Sequence, residues 1–288
     1  MLLARAPVAG SILLVAALTA LTGTTGGSHS VANAVARKPL PPSLVALVNA
    51  SAPPDDLFSV QFCGGVLIGP TTVATVAHCM RDRTPQSVDV VVGADNLCQG
   101  NSVPGERLHV KAMAVAPPGH DSDIVVLHLG APSTTTPALV AGSAGRTEPG
   151  GTAVGWGRSE LRGAYPCRGR TVPLQAGDPA VCLRGLTAAR PPQPTVDVWC
   201  GTSEGEQNTC VGDSGGPVYV RGEGRETVFA LISWGASDCG PDAPGFYSVL
   251  AGDAVAPWGT APLEGARSNL ILRGSAGRPR LPEVCSGP

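Results

Sequence analysis

The sequence predicts an all-β fold, an antiparallel sandwich or barrel, and three observations carry that expectation. Short runs of β-branched and apolar residues recur from Leu44 onward, each closed by Gly, Pro, Asp or Ser. The 38 Gly and 28 Pro among 288 residues exceed what a helical bundle accommodates, because Gly weakens helix interiors and Pro breaks them. The chain is 43% hydrophobic and 15% charged, enough apolar material for a sizeable core and too little charge for a disordered chain. A net charge of -2 gives no electrostatic drive toward phosphate backbones or anionic lipid, so no nucleic-acid partner and no polybasic membrane contact are expected.

From the N-terminus, residues 1–34 read as an export signal. Arg5 stands in a short basic start, an apolar run follows from Ser11 to Leu21, and small residues lead to Ala32-Asn33-Ala34, so that a mature chain would begin near Val35. That run falls short of the roughly 20 apolar residues a spanning helix needs, and no stable membrane insertion is expected. Nine cysteines in an exported chain point to disulfides, with at least one left over. Lys38 and Lys111 are the only lysines among the basic residues, a compositional pointer to a GC-rich bacterial source.

The β runs are Leu44 to Val48, Val66 to Ile68, Val88 to Val92, Val110 to Val115, Ile124 to Leu129, Val196 to Cys200, Val218 to Val220 and Val228 to Trp234. Between them the Pro/Ser/Thr/Gly-rich stretch from Ala131 to Gly151 suits a connection between two lobes. After Trp258 a short helix is expected around Leu263 to Leu272, then a tail carrying Cys285, with 261–288 as a C-terminal extension.

Three motifs bear on chemistry. In Gly212-Asp213-Ser214-Gly215-Gly216-Pro217, glycines flanking a serine allow a strained turn that presents Oγ outward and gathers N–H groups into one concavity. Alone, such a turn is more often only a turn. Thr75-Val76-Ala77-His78-Cys79 supplies an imidazole, the usual base for a serine nucleophile; alone, beside a cysteine, it could equally be a core histidine or a metal ligand. No further ligands stand at C-x-x-C or H-x-x-x-H spacing, so no metal and no cofactor are expected. Asp121-Ser122-Asp123 opens the run Ile124-Val125-Val126-Leu127, where a buried carboxylate needs a partner such as an imidazole N–H, or simply caps the strand.

Together and in this order, these motifs resemble the trypsin/chymotrypsin family of serine peptidases from about Leu44 to Trp258. Phe62-Cys63-Gly64-Gly65, Gly155-Trp156-Gly157, Ser233-Trp234-Gly235 and Pro244-Gly245-Phe246-Tyr247 extend the match. The resemblance implies two packed six-stranded antiparallel β-barrels with the active site in the crevice between them, one over about 43–135 and the other over about 150–258 of a domain spanning 35–260. His78 would be the general base, Asp123 its orienting partner and Ser214 the nucleophile, with the N–H groups of Gly212 and Ser214 as oxyanion hole. Ser233, Trp234 and Gly235 would pair with substrate backbone. The implied activity is that of a secreted monomeric serine endopeptidase acting on protein or peptide substrates.

The same resemblance implies the bridges Cys63 with Cys79, Cys182 with Cys200 and Cys210 with Cys239. It places Gly151 and Val220 where a further family bridge is missing, and puts Cys98 and Cys167 on neighbouring loops, which would pair them and leave Cys285 over. The primary pocket would have Asn208 at its base, Thr209 beside it, and Gly235 and Gly245 on its walls. A neutral base that can offer a donor and an acceptor implies cleavage after bulky neutral side chains, unless Asp238 or Asp242 reaches in. One departure stands out. Family members activated by cleavage begin with an Ile-Val-Gly-Gly type segment whose ammonium faces the Asp before the nucleophile, and no such segment occurs here. Asp213 therefore needs another cation, or the chain is a zymogen-like or catalytically silent binding protein on a protease fold.

Overall fold

The computed structural model describes residues 39–250 except 54, 99–104, 116–121, 142–147, 179, 183, 185–196, 221–225 and 236–238. The export signal expected over 1–34, Asp121, Asp238, Trp258, the helix expected around Leu263 to Leu272, Cys285 and the extension 261–288 lie outside the described residues.

Six strands close the first barrel: β1 (Leu44–Asn49), β2 (Gln61–Gly69), β3 (Thr72–Thr75), β4 (Val88–Val92), β5 (Glu106–Val115) and β6 (Val125–Leu129), in the order β1-β2-β3-β6-β5-β4. The barrel shuts where Val45 to Asn49 of β1 run antiparallel to Val88 to Val92 of β4. Closure leaves no open edge, which is how an antiparallel sheet this apolar avoids pairing with another chain. Leu47, Leu67, Val90 and Leu127 share one face by register and fill the barrel, each fully buried, and each such side chain contributes about 1.5–3 kcal/mol by leaving water.

The second barrel uses β8 (Gly150–Gly155), β9 (Arg170–Ala176), β10 (Val198–Ser203), β11 (Pro217–Val220), β12 (Thr227–Gly235) and β13 (Gly245–Val249), in the order β11-β8-β9-β10-β13-β12, with β11 pairing back onto β12. Trp199, Phe229 and Tyr247 anchor its core, with the Trp199 and Phe229 rings edge to face at 5.3 Å. The stretch expected to be wholly connection carries a short strand, β7 (Leu139–Val140), which adds to β12 in parallel, and β8 begins within it at Gly150.

Bridges join Cys63 to Cys79, Cys182 to Cys200, Cys210 to Cys239 and, across the two barrels, Cys98 to Cys167. Gly151 and Val220 sit opposite each other in the β8–β11 ladder. The barrels also share an apolar seam, in which Trp156, Tyr219 and Leu231 of the second pack with the core of the first. Helix among the described residues is limited to short turns, including 3₁₀ turns at Ala77–Met80 and Pro85–Ser87.

Candidate active site

The turn Cys210 to Pro217 is held open by two residues of positive φ, Gly212 at 99° and Gly215 at 81°, a conformation side chains disfavour. Within it the Asp213 N–H donates to Cys210 O at 3.0 Å, the Gly216 N–H to Asp213 O at 2.9 Å and the Gly215 N–H to Ile232 O at 2.7 Å. The N–H groups of Gly212 and Ser214 have no acceptor among the described residues. Two open donors flanking one hydroxyl is the arrangement that an oxyanion requires. The first barrel grips this turn through β2, whose Gly64 N–H donates to Ser214 O at 2.7 Å.

His78 lies on the 3₁₀ turn after β3, tied back to β2 by the Cys63–Cys79 bridge. Asp123 stands at the mouth of β6, 8% exposed, and its carboxylate collects three donors. The His78 Nδ1–H reaches Oδ2 at 2.8 Å, the His78 backbone N–H reaches Oδ1 at 3.0 Å, and the Ser233 hydroxyl reaches Oδ2 at 2.5 Å. Burial alone would raise the Asp123 pKa, but the bonds and charge of His78, with Ser233, outweigh it and hold the carboxyl below its ordinary value. An ionised carboxylate only accepts, so the proton sits on Nδ1 and Nε2 keeps a free lone pair. The Ser214 carbonyl lies 3.8 Å from Cys79 Sγ, which puts the turn beside His78. No hydrogen bond joins Ser214 Oγ to Nε2, a contact that commonly tightens only around substrate.

Ser233 does more than the extended segment it was expected to belong to. A bulge in β12 between Ile232 and Trp234 leaves Ser233 without a partner on β13, and its hydroxyl turns to Asp123. Bulges re-aim side chains in this way. Trp234 stacks on Phe246, ring centroids 3.9 Å apart.

Asp213 has a cation, and sequence reasoning missed it. Its Oδ2 pairs with Arg170 Nη2 at 2.6 Å and accepts the Cys210 N–H at 3.0 Å, while Oδ1 accepts the Gly157 N–H at 2.6 Å. Burial raises the Asp213 pKa above the ordinary value against the pull of Arg170 and the two N–H groups. Every partner is a donor, so the geometry fits the carboxylate. The signal was the phase of β9, where Arg170, Val172 and Leu174 are buried and Thr171 and Pro173 are exposed. An arginine in the inward phase of a strand needs a buried partner.

A cavity of about 190 Å³ opens beside Ser214, lined by Asn208, Thr209, Trp234, Gly235, Pro244 and Gly245 among others. One detail differs from expectation. Asn208 has spent both amide hydrogens on Gly240 O (2.8 Å) and Ala243 O (2.9 Å), and its Oδ1 accepts the Thr209 N–H (2.8 Å). It therefore has no donor to give a ligand. Gly245 lines the cavity, and a Cβ there would lie 2.5 Å from the Tyr247 hydroxyl, which is bonded to Thr209 Oγ1 at 3.2 Å. Asp242 is exposed and lines no part of the cavity.

The profile of the family described as Trypsin matches residues 35–258. Trypsin of Saccharopolyspora erythraea is 33% identical over 197 residues, covering 65% of this chain and 82% of that protein. Kallikrein 1-related peptidase b22 of Mus musculus is 30% identical over 206 residues, covering 65% of this chain and 75% of that protein. Among solved structures, the Vibrio cholerae VesB protease superposes with a TM-score of 0.58 at 29% identity over 76% of this chain. The match spans 63% of that protease's length.

Proposed function

The chain belongs to the trypsin family of serine peptidases, and from that premise we propose that it is a secreted endopeptidase working through an acyl-enzyme on Ser214, with a primary pocket for bulky neutral side chains. The observation that carries the reading is the Asp123 carboxylate, held by His78 and Ser233 so that Nε2 is free beside a turn with two open N–H donors. As Ser214 Oγ attacks the scissile carbonyl carbon, Nε2 takes its proton. The carbonyl oxygen becomes an alkoxide between the N–H groups of Gly212 and Ser214, each donor worth about 10²–10³ in rate. Collapse breaks the C–N bond, the imidazolium protonates the leaving amine, and water repeats the sequence on the ester. The four bridges fit an oxidising compartment and support secretion.

An active-site-directed phosphonate tests the enzyme reading. Stoichiometric labelling of Ser214, located by peptide mass spectrometry, is expected; a folded protein that stays unlabelled would instead be the binding protein. The pocket makes its own prediction. With no carboxylate among the described lining residues and the Asn208 donors already used, a cationic side chain entering it would be desolvated without a partner from them. In a positional peptide library, Phe, Tyr, Leu and Met at the cleaved position should be preferred over Arg and Lys by about tenfold or more. A preference of that size for Arg or Lys overturns the neutral pocket.

A further inference from the structure

The buried guanidinium behind the nucleophile turn does more than neutralise one carboxylate. Arg170 Nη2 donates to Asp213 Oδ2, to Asn208 O at 2.9 Å and to Arg158 O at 2.5 Å, while Nε donates to Gly157 O at 2.9 Å. One side chain thus joins the nucleophile turn, the floor of the primary pocket and the segment after β8. Asp213 lies between the two residues whose N–H groups stand open, so wherever its side chain is fixed, the peptides carrying those donors are fixed too. It is 2% exposed. A Cβ on Gly155 or Gly157 would strike its carboxylate, so the end of β8 and the segment after it wrap it closely.

We propose that Arg170 is the positioning residue that sets the oxyanion donors of Gly212 and Ser214, giving this chain a working active-site geometry that does not depend on an α-ammonium. The proposal rests on the endopeptidase reading above. Its chemical consequence separates it from activation by a chain terminus. A guanidinium keeps its charge throughout the alkaline range, whereas an α-amino group loses its proton near about pH 8 and a lysine near about pH 10. The ionisable groups facing the pair are few. Tyr247 of β13 is pushed far above its ordinary range by burial. From the segment between β8 and β9, Tyr165 packs against Gly212, with the Arg158 guanidinium 4.5 Å above its ring.

The test compares purified wild type, wild type with its N-terminus acetylated or extended by a tag, Arg170→Lys and Arg170→Met, on a chromogenic peptide anilide from pH 7 to 11. Blocking the terminus should leave kcat/KM within about twofold. Arg170→Met should lose at least about 100-fold in kcat, the scale of one oxyanion donor. Arg170→Lys should retain activity at pH 7 and then lose it with an apparent pKa of about 10, where wild type does not. A purely structural role would not move that alkaline limb. If Arg170→Met fails to fold, the lysine profile and the blocked terminus still decide. Superposable wild-type and Arg170→Lys profiles, or a loss beyond about tenfold on blocking the terminus, overturn the proposal. Phosphonate labelling of wild type separates the two failures. A labelled, active enzyme with superposable profiles refutes only the role of Arg170, whereas an unlabelled, inactive one refutes the endopeptidase reading and this proposal with it.

Discussion

Replacing Ser214 with alanine is expected to lower kcat on a peptide substrate by about 10⁶ while leaving the fold in place. The structure separates the two effects. The Ser214 hydroxyl has no hydrogen-bond partner among the described residues, so removing it orphans nothing. What the residue contributes to the fold is backbone, its carbonyl accepting the Gly64 N–H, and alanine keeps that. Thermal stability should therefore stay within about 0.5 kcal/mol of wild type, as for substitutions away from packed or paired groups. The variant should still exceed the uncatalysed rate by about 10³–10⁴, since the open N–H groups and the pocket remain. Steady-state kinetics beside thermal unfolding checks both halves. More than a few percent of wild-type activity would remove Ser214 from the role of nucleophile.

Which parts could be read from the sequence follows from where the information lies. His78, Asp123 and Ser214 sit in short motifs whose residue types each narrow the chemistry. The fold brings His78 and Asp123 into contact and sets the Ser214 turn beside them. Strands rich in Val and Ile, such as Val88–Val92, announced themselves by composition. β8 and β9 did not. Gly150 and Gly151 open one and Pro173 interrupts the other, and both residues argue against a strand when read locally. Tertiary pairing overrides that preference, because Pro173 occupies an exposed position in an alternating strand. With β9 unseen, the inward phase of Arg170 was unseen too, and the cation for Asp213 with it. The bond from Ser233 to Asp123 escaped for another reason. Its direction comes from a bulge against β13, a register irregularity that no residue type in Ser233-Trp234-Gly235 encodes. Asn208 lines the cavity, but its amide is spent on carbonyls at 240 and 243, and only the path of that loop reveals this.

The second large effect belongs to Asp123→Asn, expected to cost about 10⁴ in kcat with little change in KM, since the residue lines no part of the pocket. The hydrogen bonds fix how the amide must sit. The His78 backbone N–H requires an acceptor where Oδ1 now lies, so the amide oxygen takes that place and the NH₂ group takes the place of Oδ2. The Ser233 hydroxyl can rotate to accept from it. Nδ1 of His78 must then accept as well, which drives the ring proton to Nε2, the nitrogen needed to receive the proton of Ser214. The base is lost through its tautomer while the geometry survives. Stability supplies an independent readout with a definite sign. Because the native state holds the Asp123 carboxyl below its ordinary value, ionisation of this group stabilises the fold above about pH 4. That contribution disappears as the pH falls through the lowered native value. Wild type should therefore lead Asp123→Asn in unfolding free energy at pH 7, and the lead should shrink toward pH 3. A lead that widens on acidification, or a fall in kcat smaller than about tenfold, would mean that the carboxylate neither pairs with His78 in solution nor sets its tautomer.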